Sequence, residues 1–152
     1  MARRASARRA MTLLEMTVVV VIIGMLGAMA VTRYGGSTMA DIGAKGFSRR
    51  LALDSSQARR RAIATGDNHL VRMTIVGGKA TEYGVYRRSG ASTTLVDDVV
   101  TVPTSVDVTT SATDLEFTFT GEALASYTVT VQAPDQTWTV TVPQVTGKAF
   151  VQ

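Results

Sequence analysis

The sequence contains no cysteine and a single histidine, His69. Without thiols there are no disulfides, no thiolate metal cluster and no redox pair, so a domain facing an oxidising compartment must be stable without cross-links. One histidine alone is poor material for a metal centre or a nucleophile–base set. A phosphate-cradling Gly-Lys-Ser/Thr loop is also missing, and Gly77-Gly78-Lys79 reads as a hairpin turn. Asp97-Asp98 is the one adjacent pair of carboxylates. Neighbouring residues in a strand point to opposite faces, which favours a solvated loop over a calcium site. These absences argue against an enzyme, and neither a cofactor nor a metal is expected.

Charge is missing from a further stretch. Between Met16 and Thr32 no side chain is ionisable, and Met16, Val18 to Ile23, Met25, Leu26 and Ala28 to Val31 supply most of the bulk. With Met11 to Leu14 the apolar run reaches about 20 residues, the length a helix needs to cross a hydrocarbon core. Glu15 interrupts its start. A lone carboxylate at that depth costs on the order of a few kcal/mol, so it calls for a partner such as an amine. Arg3, Arg4, Arg8 and Arg9 precede the run, and positive residues before an apolar helix stay cytoplasmic. The remainder of the chain is then extracytoplasmic.

The basic leader, the small residue Ala10, Met11-Thr12-Leu13-Leu14-Glu15 and the long apolar helix together resemble the class III signal of type IV pilins and type II secretion pseudopilins. The resemblance implies cleavage by a prepilin peptidase between Ala10 and Met11 and N-methylation of Met11. It also implies that Glu15 pairs with the terminal amine of a neighbouring subunit during assembly, an attraction that in low dielectric offsets part of the desolvation of both groups. Gly24 and Gly27 would let neighbouring helices approach closely. Two positions depart from the family pattern: Ala10 stands where Gly is usual, and Thr32 where many pilins have the Pro that kinks the helix. The disulfide loop of many major pilins is missing as well. Two other readings exist, a plain membrane anchor and a secretory signal cut after Ala28-Met29-Ala30, which fits A-x-A. Arg8-Arg9 lacks the rest of a twin-arginine motif.

Roughly 120 residues follow the leader and membrane segment, enough for one modest domain. A chain starting at Met11 has twelve basic and twelve acidic side chains, but unevenly placed. Residues 33–88 hold eleven Lys or Arg against Asp41, Asp54, Asp67 and Glu82, and residues 89–152 hold Lys148 against seven acids. Such polarity could favour staggered head-to-tail contact between subunits.

From Thr38 to Thr65 the spacing of Phe47, Leu51, Ser55, Ala58 and Ala62 predicts a helix with a narrow apolar stripe. Arg49, Arg50, Arg59, Arg60 and Arg61 form its basic outer surface, solvated or facing lipid or an acidic neighbour. A bend or break is expected at Gly35-Gly36, and a stop at Gly66. The period then changes to two. Val71, Met73 and Ile75 alternate with Arg72 and Thr74; Gly77-Gly78 turns the chain, and Thr81 to Arg87 returns with Tyr83 and Val85 on one face. Residues 88–94 are the most loop-like part. Short strands follow at 99–102 and 106–109, then Leu115, Phe117 and Phe119 alternate up to Gly121. Strands at 127–132 and 137–142 put Val129, Val131, Trp138, Val140 and Val142 on sheet faces.

The predicted fold is α+β: a long amino-terminal transmembrane helix followed by an antiparallel, sandwich-like head. The parts are a leader (1–10), a transmembrane or fibre-core helix (11–33), its extension (34–66) and the β head (67–152). Helix before sheet, Phe117-Thr118-Phe119-Thr120-Gly121 and the Thr146-Gly147-Lys148 ending are similar to the minor pseudopilin H and FimT group. The resemblance implies a minor subunit of a type II secretion pseudopilus in the inner membrane, with other pseudopilins, the prepilin peptidase, the assembly platform and the lipid bilayer as partners. One alternative is a FimT-type minor pilin that takes up DNA, with Arg72, Lys79, Arg87 and Arg88 as contacts; the other is a secreted β domain.

Overall fold

The computed structural model describes residues 12–152, so Ala10 and Met11 lie outside the described residues. The chain divides into two compact units, the first ending at Gly36 and the second Ser37–Gln152. One helix, α1 (Leu13–Thr65), opens the fold. Thr12 caps it, its hydroxyl accepting from the Glu15 N–H at 3.3 Å while its carbonyl accepts from Met16 N at 3.2 Å. This satisfies donors that a helix start leaves bare, and it places a carboxylate in the positive first turn. Gly35-Gly36 does not end the helix, contrary to the expected break. Helix propensity is a weak prior, and two glycines cost only about 2 kcal/mol against a long hydrogen-bonded run. Gly66, at φ 74°, terminates α1 and donates its N–H to the Ala62 carbonyl. Glycine takes that left-handed conformation without steric cost.

Nine strands follow: β1 (Asn68–Val76), β2 (Lys79–Ser89), β3 (Ser92–Leu95), β4 (Val100–Thr101), β5 (Asp107–Thr110), β6 (Asp114–Phe117), β7 (Tyr127–Gln132), β8 (Thr137–Val142) and β9 (Phe150–Val151). They make two antiparallel sheets. The first has the order β3-β2-β1-β6 with β4 also on β2, and the second β5-β7-β8-β9. The core lies where the Ala44-to-Ala62 face of α1 meets both sheets. Phe47, Leu51, Ala58 and Ala62 are buried there with Val71, Met73, Tyr83, Val85, Leu115 and Phe117 of the first sheet and Val108, Val129, Val131, Val140 and Val142 of the second. Phe47 meets Tyr83 edge-to-face, centroids 5.7 Å apart, a geometry aromatic pairs prefer. Ser55, also fully buried, returns its hydroxyl to the Leu51 carbonyl at 2.8 Å and so leaves no bare polar group.

Three local expectations fail for identifiable reasons. Ile75 is exposed rather than in register with Val71 and Met73, because a bulge between Thr74 and Ile75 shifts the pairing by one residue. Residues 88–94 are not a loop: β2 and β3 pair from Tyr86↔Leu95 to Ser89↔Ser92 around a two-residue turn with Gly90 at φ 61°. Phe119 stands beyond the end of β6, exposed in the turn that closes with the Gly121 N–H on the Thr118 carbonyl.

Candidate functional site: the apolar segment and the charged faces of the head

Leu13–Arg33 is long and apolar enough to cross a membrane once. Its large side chains, from Leu13 and Leu14 through Ile22, Ile23 and Leu26 to Val31, are all exposed. Apolar area exposed on this scale is costly to leave in water. Glu15 is exposed at the third position of the helix, the acidic end of a Thr12-x-x-Glu15 pattern that the sequence carries in plain view. Gly24 and Gly27 have no atom within 4 Å of where a Cβ would stand, which leaves that face open to close approach by another backbone.

In the head, the four cations named as possible phosphate contacts all meet carboxylates. Arg72 forks onto Asp114, with Nε and Nη2 each donating at 2.8 Å. Arg88 reaches Asp114 at 3.5 Å and Glu116 at 3.1 Å, Lys79 reaches Asp107 at 2.6 Å, and Arg87 pairs with Asp67. The hydrogen bond from Arg72 outweighs the burial of Asp114 and holds its carboxyl below the usual range; the charges of Arg72 and Arg88 act in the same direction.

Asp114, Arg72, Arg88 and Glu116 share the outer face of the first sheet, across β6, β1 and β2. Asn68 adds a bond to Glu116 at 2.9 Å, and the Arg72 guanidinium sits 5.3 Å from the centre of the Tyr86 ring. Beneath this layer Leu70 is fully buried on the face that sequence alternation assigned to solvent. Glu116 is 5% exposed and has two partners, as a buried carboxylate requires.

Part of the polarity of the sequence is therefore neutralised within the head. Bases from residues 33–88 pair with acids from residues 89–152, including Arg61 with Asp97, so Asp97 is an ion-pair partner. No cluster of three metal-ligating side chains occurs among the described residues. The arginines of α1 divide as well. Arg49, Arg50 and Arg60 are exposed, as expected of an outer surface, but Arg59 and Arg61 turn toward the sheets.

Arg59 makes the connection that sequence reasoning missed. Its Nε donates to the Gly121 carbonyl at 2.7 Å, and Gly147 lies directly on that carbonyl. A Cβ at 147 would collide with the Gly121 oxygen and come within 3.2 Å of the Arg59 Nε. The two local motifs after β6 and β8 are thus joined through one helix arginine. The two glycines, at φ 86° and 56°, were the visible signal; their common partner was not.

A long amino-terminal helix against two antiparallel sheets is the pilin-like α+β architecture. No protein-family model matches the sequence, and no curated protein is significantly similar to it. Solved structures share the fold, two of them as follows. The type IV minor pilin FimU of Pseudomonas aeruginosa superposes with a TM-score of 0.59 at 11% identity, over 80% of this chain and 91% of that one. The minor pseudopilin EpsH from the type 2 secretion system of Vibrio cholerae superposes with a TM-score of 0.53 at 20% identity, over 74% and 94%. At these identities the likeness is one of fold.

Proposed function

We propose that this chain is a minor subunit of a pilin-like fibre, specifically of a type II secretion pseudopilus, with a structural and not an enzymatic role. The observation that carries the reading is the exposed apolar segment Leu13–Arg33 with one carboxylate, Glu15, in its first turn, borne by a chain whose fold is shared with minor pilins. A segment of this kind is stored in a bilayer as a single span and packs among identical segments in a fibre. The arginines ahead of it keep the amino terminus cytoplasmic and the head on the far side of the inner membrane. The prepilin peptidase cuts between Ala10 and Met11, and Met11 is N-methylated. Glu15 then pairs with the terminal amine of a neighbouring subunit and sets register, while Gly24 and Gly27 permit close helix contact. The partners are other pseudopilins and the inner-membrane assembly platform. Residues 11–33 serve as membrane and fibre-core helix, 34–66 as its extension and 67–152 as the head.

DNA capture is the weaker reading, since Arg72, Lys79, Arg87 and Arg88 each face a carboxylate and a phosphate backbone would have to displace it. Secretion as a free β domain would need cleavage after Ala30, which lies in the interior of α1. Intact mass and amino-terminal analysis from cells carrying the prepilin peptidase tests the pathway: N-methylated Met11 is expected. A chain beginning at Val31 would refute the fibre. Glu15→Val should abolish incorporation into fibres while membrane fractionation is unchanged; incorporation at the normal level would rule out the pairing role.

A further inference from the structure

Just past the end of α1, the inner face of the first sheet continues without a helix over it. Across that row His69 of β1 stands beside Arg87 of β2, and Arg87 beside Thr94 of β3. With Arg61 and Thr65 of α1 on one side and Leu95 and Val96 on the other, they line a cleft of about 600 Å³. That volume suits a small ligand or the last residues of a peptide.

The donor and acceptor pattern of the cleft is specific. His69 is 2% exposed, and its Nδ1 lies 3.1 Å from the Asp67 carbonyl, which can only accept. Nδ1 therefore carries the hydrogen, and in the neutral ring Nε2 presents a lone pair with no protein partner. Arg87 directs both Nε and Nη2 to one oxygen of Asp67, leaving Nη1 without a protein acceptor. Arg61 forks onto Asp97 and leaves Nε. The hydroxyls of Ser89 and Thr94 add neutral donors, and Leu95 and Val96 an apolar wall.

A matching ligand offers one N–H donor to Nε2, one compact anion to the arginine and hydroxyl side, and an apolar group to the wall. We infer that the cleft binds the free carboxy terminus of another polypeptide ending in an apolar residue: its last amide N–H on His69, its α-carboxylate on Arg87 and Thr94, and its side chain against Leu95-Val96. The two arginines are balanced by Asp67 and Asp97, so the rim has no net charge to draw a polyanion, whereas a monoanion with an adjacent N–H is recognised by geometry. The inference stands apart from the fibre reading, because it concerns only the head.

The single histidine makes the test direct. Full-length protein in detergent micelles, labelled at histidine, gives one imidazole signal to follow by NMR while N-acetyl-alanyl-leucine is added. A saturable shift is expected, with at least about tenfold weaker response to the carboxamide of the same dipeptide and to acetate. Arg87→Gln and, separately, Thr94→Val should each weaken binding severalfold with the thermal transition retained. No saturable shift with the acid would overturn the assignment, as would equal binding of acid and amide, equal binding of acetate, or displacement of the dipeptide by a short DNA duplex.

Discussion

Gly147→Ala should be among the most damaging single-methyl changes in the head. Gly147 sits at φ 56°, where an alanine is strained by about 1 kcal/mol. The new Cβ has nowhere to go, because its nearest neighbour is the Gly121 carbonyl, a backbone atom that cannot rotate aside. Forced overpacking of this kind costs about 1–3 kcal/mol. Moving that carbonyl also breaks the 2.7 Å bond from Arg59 Nε, a charged donor, for about another 1–2 kcal/mol. The total is about 3–6 kcal/mol, which for a head of this size lowers Tm by roughly 10–25 °C.

Gly90→Ala provides the control. Its φ of 61° imposes the same strain, but nothing lies within 4 Å of the added methyl, so it should cost only about 1 kcal/mol. Urea unfolding of the full chain in detergent, read from the single tryptophan, Trp138 of β8, measures both. If Gly147→Ala and Gly90→Ala agree within about 0.5 kcal/mol, the contact joining Arg59, Gly121 and Gly147 carries none of the assigned energy. Arg59→Ala separates the terms: combined with Gly147→Ala, it should cost less than the sum of the two alone.

Tyr83 and Arg72 give pH signatures of opposite sign. Burial, reinforced by the 2.6 Å bond to Asp54, raises the Tyr83 hydroxyl far above its usual value, so its contribution is complete below about pH 10 and is lost as pH rises further. Tyr83→Phe should cost about 1–3 kcal/mol at pH 7, and its deficit relative to the parent should shrink near pH 11; a deficit independent of pH would contradict this. Asp114 is held low, so its contribution is present above about pH 4 and is lost as pH falls through the folded value. Arg72→Gln should therefore cost about 1 kcal/mol at pH 7, a modest figure because both partners are partly exposed, with the gap closing in acid. Urea midpoints across pH decide both cases. In gel-shift assays at physiological salt the chain should not retard duplex DNA, and a salt-sensitive shift abolished by neutralising Arg72, Lys79, Arg87 and Arg88 would restore the DNA reading.

Elements that depend on local spacing were legible in the sequence. The Phe47, Leu51, Ser55, Ala58, Ala62 stripe is the buried face of α1, and Gly77-Gly78 does join β1 to β2. Alternation located Leu115 and Phe117 and the valines of β7 and β8 in the core. What escaped was everything set by a partner distant in the chain. Ile75 leaves the pattern because the pairing register slips, and Arg61 leaves the outer surface because Asp97 attracts it. Leu70 is buried between its cross-strand partners Tyr86 and Glu116, from strands on either side, which no period-two rule registers. Glu15 shows the converse: its oddity is visible in one dimension, and the partner proposed for it lies in a second chain.

The strand order also dictates when the head can become whole. β6 completes the first sheet by pairing with β1, Val71 against Leu115, but β5 has already been given to the second sheet along the way. The β1–β2 hairpin can form as soon as residue 89 is available, yet its outer hydrogen-bonding edge stays bare until residue 117 arrives. β9 joins β8 later still, with Ala149 buried in the core and Val151 packed against it. Folding is thus weighted toward late, non-local closure, which is intrinsically slow and leaves a sticky intermediate. On the proposed reading the apolar segment is anchored before this closure, and the interval between anchoring and burial is when a chaperone or protease has its opening.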